Sequence, residues 1–267
     1  MKIIFLGCGG SGGVPLLGGE DGNGNWGGCN PLEKKNLRTR SSVIIENDQG
    51  DRVLVDTGPD LRSQFLREKI SRVDAVIYTH AHADHIAGLD DLRSVNRVLK
   101  KPVPIFATEE TLKELKSRFS YAFRPWTTAP HFFRPILDVH QIRYGDRICA
   151  ANMDIQTFEQ SHGFCKTLGL RFESVAYCTD VVRLDDNAIK ILQNVHIWII
   201  GCFQRKPHPA HAWLDRVLEW REKIKPVKTI LTHMGSDMDW GWLKAHLPDG
   251  VEAAYDGLRI NSSELKI

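Results

Sequence analysis

The stretch that decides the fold is Thr79-His80-Ala81-His82-Ala83-Asp84-His85, which follows a short, mostly apolar run at residues 74–78. That run has the length and composition of a buried β-strand, so the cluster lies at the carboxyl end of a strand. Three imidazoles and a carboxylate this close together would repel and desolvate one another in a metal-free core, whereas a divalent metal takes both as ligands. The cluster therefore predicts a metal site.

The spacing within the cluster is compatible with two ions. Along a turn that leaves a strand, the alternate residues His80 and His82 can face one point. The adjacent residues Asp84 and His85 point elsewhere and can serve a second ion. One motif therefore predicts parts of two neighbouring metal sites.

Hydrophobic periodicity along the chain predicts an alternation of strands and helices. The predicted strands cover residues 2–6, 42–46, 52–56, 74–78, 103–107, 154–158, 167–172, 175–179, 197–201, 229–231 and 251–254. The predicted helices cover residues 59–70, 109–119 and 210–224. This order favours an α/β fold, an αββα sandwich with two mixed β-sheets between helices. Because no linker rich in Pro, Gly or Ser divides the chain, we expect one domain over residues 1–267.

The composition indicates a packed globular protein, since 42% hydrophobic and 25% charged residues are ordinary for a chain with a sizeable core. The net charge of +2 is too small for a strongly basic face, so we expect no stable nucleic-acid complex. No stretch approaches the roughly 20 apolar residues of a membrane span, and the apolar run 3–6 is too short for a signal peptide. We expect neither membrane insertion nor secretion.

The six cysteines are scattered and contain no C-x-x-C pair. This spacing favours neither a disulfide framework nor a cysteine zinc knuckle, and it fits a reducing cytoplasm. Gly7, Gly9 and Gly12 spell the dinucleotide fingerprint, but that fingerprint needs a helix to open at its third glycine. The segment 14–24, with its proline and four glycines, cannot supply one, so we expect no nucleotide cofactor.

The pattern H-x-H-x-D-H at a strand end resembles the metallo-β-lactamase superfamily, and the resemblance covers nearly the whole chain. Further positions of that superfamily are an aspartate before the first helix, a histidine after the midpoint, a bridging aspartate and a last histidine. In this chain they are matched, in the same order, by Asp56, His162, Asp180 and His233. Each match is weak by itself, and their order and strand-end context give them weight.

The resemblance implies a binuclear site for two divalent metal ions, Zn²⁺ or Mn²⁺. The implied ligands of one ion are His80, His82 and His162, those of the other are Asp84, His85 and His233, and Asp180 bridges the two. The catalytic residues that it implies are Asp84, Asp56 and His211. Asp56 would orient a ligand or its loop, as metal sites generally require.

Within the superfamily, three segments look like the branch that contains the phosphonate-pathway cyclic phosphodiesterase. They are residues 7–15, 26–29 and 254–258. The chain departs from that branch because it keeps only Cys29 of a cysteine-rich zinc site, and Ser236 stands where a further histidine is found. We therefore predict no structural zinc and carry over no exact substrate.

The expected reaction is hydrolysis of a small anionic phosphodiester, such as a cyclic phosphodiester or a nucleotide, by a hydroxide shared between two metal ions. His211, or less favourably His208, is expected to give a proton or hydrogen bond to the departing oxygen. Thioester or lactone hydrolysis is the rival reaction. A mononuclear iron dioxygenase and a metal-stabilised binding protein are the non-hydrolytic alternatives.

One aromatic segment, residues 121–137, fits none of these elements. It combines Phe123, Trp126, Phe132 and Phe133 with prolines and has no usable periodicity. It could form a lid, a contact in a homodimer, or an ordered surface loop.

Overall fold

A computed structural model describes residues 1–125 and 132–262. In this part of the chain, strands form two mixed sheets of seven strands each. The first sheet consists of β1 (Lys2–Gly7), β2 (Ser42–Glu46), β3 (Arg52–Val55), β4 (Ala75–Ile77), β5 (Val103–Thr108), β6 (Leu137–Ile142) and β14 (Arg259–Asn261). Its spatial order is β14-β1-β2-β3-β4-β5-β6.

The second sheet is built from the later part of the chain. It consists of β7 (Arg147–Ala150), β8 (Met153–Ser161), β9 (Lys166–Phe172), β10 (Val175–Cys178), β11 (Ile197–Gly201), β12 (Lys228–Thr232) and β13 (Val251–Ala253). These strands follow one another in space as they do along the chain. The pairs β10–β11 and β11–β12 are parallel, whereas β8–β9 and β9–β10 are antiparallel. The strands β8, β10, β11 and β12 therefore all run in the same direction.

Helices accompany both sheets. They are α1 (Leu61–Glu68), α2 (Ala83–Ile86), α3 (Leu92–Leu99), α4 (Glu109–Arg118), α5 (Asp186–Leu192), α6 (Leu214–Ile224) and α7 (Trp240–His246). Short 3₁₀ helices cover Lys34–Asn36, Leu89–Asp91 and Ser120–Phe123. Within the described residues, no helix has the length and apolar character that crossing a membrane requires.

Alternation of side chains along the first strands divides the core into two layers. Ile3 and Phe5 of β1 belong to a buried cluster that includes Phe158 of the second sheet, so they lie between the sheets. Ile4 and Leu6 belong to a different cluster, which includes buried residues of α1, α3 and α4. Because successive strand residues face opposite sides, β1 is apolar on both faces and lies between a helical layer and the other sheet.

The predicted αββα sandwich is confirmed. Each predicted strand is present within a few residues, but the predicted helix 210–224 begins only at Leu214. The reason is that residues before Leu214 pair with other loops: Ala212 N–H donates to Val181, and Trp213 forms a bridge with Gln204. In the aromatic segment, Trp126 lies outside the described residues, while Ser120–Phe123 forms a 3₁₀ turn.

Candidate metal centre

The sequence-predicted site residues lie at the ends of parallel strands. His80 to His85 follow β4, and Asp56 follows the neighbouring parallel strand β3. In the second sheet His162 follows β8, Asp180 follows β10 and His233 follows β12. Because these strands run in the same direction within each sheet, their carboxyl ends meet at one edge, as in other α/β proteins with ligand sites.

The structure brings all seven predicted ligands together into two groups. In each group, one ligand atom per residue lies within 4.8 Å of the others. The first group contains His80, His82, His162 and Asp180, and the second contains Asp84, His85, Asp180 and His233. Both are compatible with a divalent metal site, and Asp180 belongs to both.

The two oxygens of Asp180 face the two groups separately. Oδ2 lies 3.8 Å from His80 Nε2 and 3.6 Å from His162 Nε2. Oδ1 lies 3.2 Å from His85 Nε2 and 3.1 Å from His233 Nε2. The carboxylate therefore stands between two sets of imidazole nitrogens, which is the position that a bridging ligand requires.

Three histidines have their Nδ1 atoms occupied by the protein. His85 Nδ1 lies 2.7 Å from Asp56 Oδ2, and His162 Nδ1 lies 2.7 Å from the Ala210 carbonyl oxygen. His80 Nδ1 lies 3.0 Å from Thr79 Oγ1, whose own proton goes to Asp56. These partners assign the Nδ1–H tautomer to each ring, so the Nε2 lone pair is available to a cation.

The Nε2 atoms of His80, His85 and His233 are buried and have no hydrogen-bond partner within the described residues. A buried polar atom without a partner costs about 1–3 kcal/mol, so such atoms call for a ligand. All three point at carboxylates without the geometry of a hydrogen bond. Imidazole nitrogens and carboxylate oxygens are the donor set that zinc and similar divalent ions prefer. The residues present therefore fit a metal pair.

The electrostatic field of the site favours positive charge. Burial opposes protonation of His85, but the carboxylates of Asp180, Asp56 and Asp84 together raise its pKa well above the ordinary value. A bound cation satisfies the same field in place of a proton. Burial and the neighbouring His85 lower the pKa of His80, which keeps that ring in the neutral form that binds metals.

The loop that carries His80 to His85 is braced from the end of β3. Asp56 Oδ1 accepts from the Thr79 N–H at 2.8 Å, while its Oδ2 faces His85. Thr57 N–H donates to the His85 carbonyl at 2.7 Å. A Cβ on Gly58 would lie 2.5 Å from the Asp84 carbonyl oxygen, so only glycine lets the two loops pack this closely. Asp56 thus contacts both Thr79 and His85 of this loop.

Three site residues adopt the left-handed backbone conformation that favours glycine. They are Asp56 (φ 63°), Asp180 (φ 49°) and His233 (φ 52°), each at the end of a strand. Such a conformation costs a non-glycine residue on the order of 1 kcal/mol or more, with aspartate among the more tolerant types. The side chains at these three positions therefore lower the stability of the folded backbone relative to glycine.

A buried guanidinium holds the loop that follows His233. Arg38 is buried, and its Nη2 donates to the Met238 carbonyl at 2.6 Å. Its Nη1 donates to the Gly235 carbonyl at 3.3 Å. Nothing in the sequence distinguished Arg38 from the many surface arginines, since its role depends on a contact between distant loops.

His211 lies over the two groups, and His208 supports it. The His211 ring centroid is 4.6 Å from that of His162 and 5.0 Å from that of His233. Burial, assisted by His233, lowers its pKa to about 3. His208 Nδ1 accepts from the backbone N–H of His211 at 3.1 Å, so it holds the turn that carries His211.

Phe203 is a site residue that the sequence prediction missed. Its ring stacks on His211 with centroids 4.8 Å apart, and a Cβ on Gly10 would lie 2.8 Å from it. Phe203 follows β11, which lies between β10 and β12 in the sheet. The sequence did contain a signal for Phe203. The strand β11 was predicted, and its carboxyl end lies at the same edge of the sheet as Asp180 and His233.

Comparison with known proteins defines the family of this protein. Residues 51–234 match the family described as the Beta-lactamase superfamily domain. The chain belongs to this superfamily and has the metallo-β-lactamase fold. It is similar to a crystal structure described as a new diphosphatase from the PhnP family, with 33% identity, a TM-score of 0.86 and coverage of 97% of each chain.

The chain is also similar to two proteins that carry other names. An octanoyltransferase of Porphyromonas gingivalis is 30% identical over 97% of this chain but only 51% of its own length, so the chain spans about half of that relative. The Zn²⁺-bound PqqB of Methylobacterium extorquens has a TM-score of 0.77 and 15% identity, covering 98% of this chain and 100% of its own. At that identity the likeness concerns the fold.

Proposed function

We propose that this protein is a two-metal phosphodiesterase that acts on small anionic phosphodiesters, such as cyclic phosphodiesters and nucleotides. The observation that carries the proposal is the position of Asp180, whose two oxygens face two separate sets of imidazoles. Two adjoining cation sites favour in-line displacement at phosphorus, because they can serve both the attacking and the leaving oxygen. Similarity to a PhnP-family diphosphatase supports chemistry at phosphorus.

The ligand sets follow the two groups of the metal centre. His80, His82 and His162 would hold one ion, Asp84, His85 and His233 the other, and Asp180 would bridge them. This donor set suits Zn²⁺ or Mn²⁺. When bound, the ions would lower the pKa of a water molecule and neutralise charge on the oxygens of the phosphodiester.

The side chains themselves supply hydrogen bonds to the reacting groups. Asp84 remains anionic because the imidazoles of His85 and His233 outweigh burial and keep its pKa below the usual range, so it accepts a hydrogen bond from the attacking water. His211 is held by Phe203 and, as a neutral ring, donates a hydrogen bond to the departing oxygen. His208 supports His211 and does not touch the reacting atoms.

The test combines metal analysis with a panel of substrates. The purified protein is stripped with a chelator, reloaded with zinc or manganese, and assayed on bis(p-nitrophenyl) phosphate, 2′,3′-cyclic nucleotides and thioesters. We expect two equivalents of metal and hydrolysis of the phosphodiesters. His162→Ala should lose one equivalent, whereas His140→Ala, which removes an exposed histidine of β6, should behave like the wild type.

Other outcomes would replace the proposal with a defined alternative. Two equivalents of metal with hydrolysis of thioesters and no hydrolysis of phosphodiesters would indicate an acyl hydrolase. One equivalent of iron without hydrolysis would indicate a redox enzyme. Two equivalents without any hydrolysis would indicate that the ions serve folding or binding alone.

A further inference from the structure

The strand that leads to the turn from His80 to His85 has a parallel neighbour on each side. In the first sheet β4 lies between β3 and β5, and all three strands run in the same direction. Asp56, at the end of β3, contacts the turn directly. At the same edge of the sheet β5 is followed by α4, which begins at Glu109. Helix α4 therefore starts beside the turn, on the opposite side of β4 from Asp56.

Arg118, in the last turn of α4, connects this helix to the metal-binding turn. Its Nη1 donates to the Ala81 carbonyl oxygen at 2.7 Å, and its Nη2 donates to Glu114 Oε2 at 2.8 Å. Leu112 and Leu115 anchor α4 in the buried cluster on the helical side of the first sheet. Glu114 precedes Arg118 by one helical turn, which is the favourable order for such a pair. The guanidinium therefore reaches Ala81 from a fixed position.

The Ala81 carbonyl lies between His80 and His82, two predicted ligands of the same ion. Among the described residues, no backbone N–H donates to this carbonyl oxygen. A peptide unit is planar, so a hydrogen bond to the Ala81 oxygen also fixes the nitrogen and the Cα of His82. Arg118 therefore determines the position from which the His82 side chain extends.

His82 depends on its backbone more than the other two histidines of its group do. His80 Nδ1 lies 3.0 Å from Thr79 Oγ1, and His162 Nδ1 lies 2.7 Å from the Ala210 carbonyl oxygen. His82 is exposed, and its ring contacts the rings of His80 and His162 at centroid distances of 4.5 Å and 5.2 Å. In the part of the chain that the structure describes, this ring has no hydrogen bond. The backbone and these two rings alone orient it.

We propose that Arg118 is a positioning residue of the metal centre, whose hydrogen bond to Ala81 holds His82 toward the ion of its group. This inference rests on the metal pair of the proposed function and assigns an outer support to one of the two ions. Arg118 belongs to neither ligand group, so it acts through the peptide that joins Ala81 to His82. Partners that orient metal ligands in this way contribute strongly to metal affinity.

The test measures zinc affinity in Arg118→Met, which removes the donor and keeps the aliphatic part of the side chain. Lys116→Met is the matched control, because it removes the other cation from the last turn of α4. Competition with a chromophoric chelator should show one of the two zinc ions bound about tenfold more weakly in Arg118→Met and unchanged in the control. Arg118→Lys keeps the charge and a donor, so it should recover most of this affinity. The urea midpoint of Arg118→Met should equal that of the control.

A double-mutant cycle with His82→Ala separates positioning from a general loss of structure. If Arg118 acts through His82, Arg118→Met should cause no further loss of zinc affinity in the His82→Ala background. Unchanged zinc affinity in Arg118→Met, the same loss in both backgrounds, or equal weakening of both ions would overturn the inference. Zinc binding is measured without substrate. If the cycle shows coupling but no phosphodiester is hydrolysed, the role of Arg118 stands and the proposed function fails.

Discussion

The two halves of the metal centre are built in different ways. At the first sheet, four ligands lie on one turn between His80 and His85, and the Asp56 side chain braces that turn directly. At the second sheet, three ligands come from the ends of three separate strands. The compact half depends on local contacts, whereas the scattered half depends on strand register and on loops such as the one held by Arg38. Each ligand group therefore combines residues of the compact half with residues of the scattered half.

Removal of Asp180 should have the largest effect, because this residue belongs to both ligand groups. In Asp180→Ala both groups lose a ligand, and we expect activity to fall about a thousandfold or more, which corresponds to about 4 kcal/mol. Metal analysis should show fewer than two bound equivalents. Retention of both equivalents with nearly full activity would show that each ion is held without the shared carboxylate.

His211→Ala should give the next largest effect and leave both halves intact. Removing a group that assists the leaving oxygen typically costs about a hundredfold or more in kcat. Metal content should remain at two equivalents, since His211 belongs to neither ligand group. A loss of metal in this variant would mean that His211 supports the ligands of the scattered half and does not act on the leaving oxygen.

Asp56→Asn should weaken the compact half. The variant preserves size but replaces the carboxylate that faces His85 Nδ1, and losses of this kind cost about 10–100-fold in metal affinity. Competition with a metal chelator should show this loss for one of the two ions. Equal weakening of both ions would mean that Asp56 positions the whole turn from His80 to His85, and not His85 alone.

Arg38→Met should act on the scattered half with the smallest effect on catalysis. The variant leaves the Gly235 and Met238 carbonyls without their donor, which should lower the free energy of unfolding by about 2 kcal/mol. Urea denaturation measures this change, with Lys113→Met as the surface control. We expect metal affinity to fall less than in Asp56→Asn, and a larger fall would make Arg38 the main support of His233.

The same difference between the halves explains how far the sequence could be interpreted. The compact cluster is visible because its residues are adjacent, and strand periodicity was enough to predict the sandwich. His162, Asp180 and His233 are unremarkable individually, and resemblance to a superfamily in the right order was needed to select them. Arg38 and Phe203 were not predicted, because their contacts with distant loops exist only once the two sheets have assembled.

The left-handed backbone at Asp56, Asp180 and His233 has a consequence for protein engineering. Glycine at Asp180 or His233 would relieve the backbone and make the folded chain more robust to heat, while deleting a side chain of the centre. Screens that reward thermal tolerance alone would therefore enrich inactive sequences. Mutant libraries intended to increase thermal stability should therefore keep Asp56, Asp180 and His233 unchanged and vary other positions.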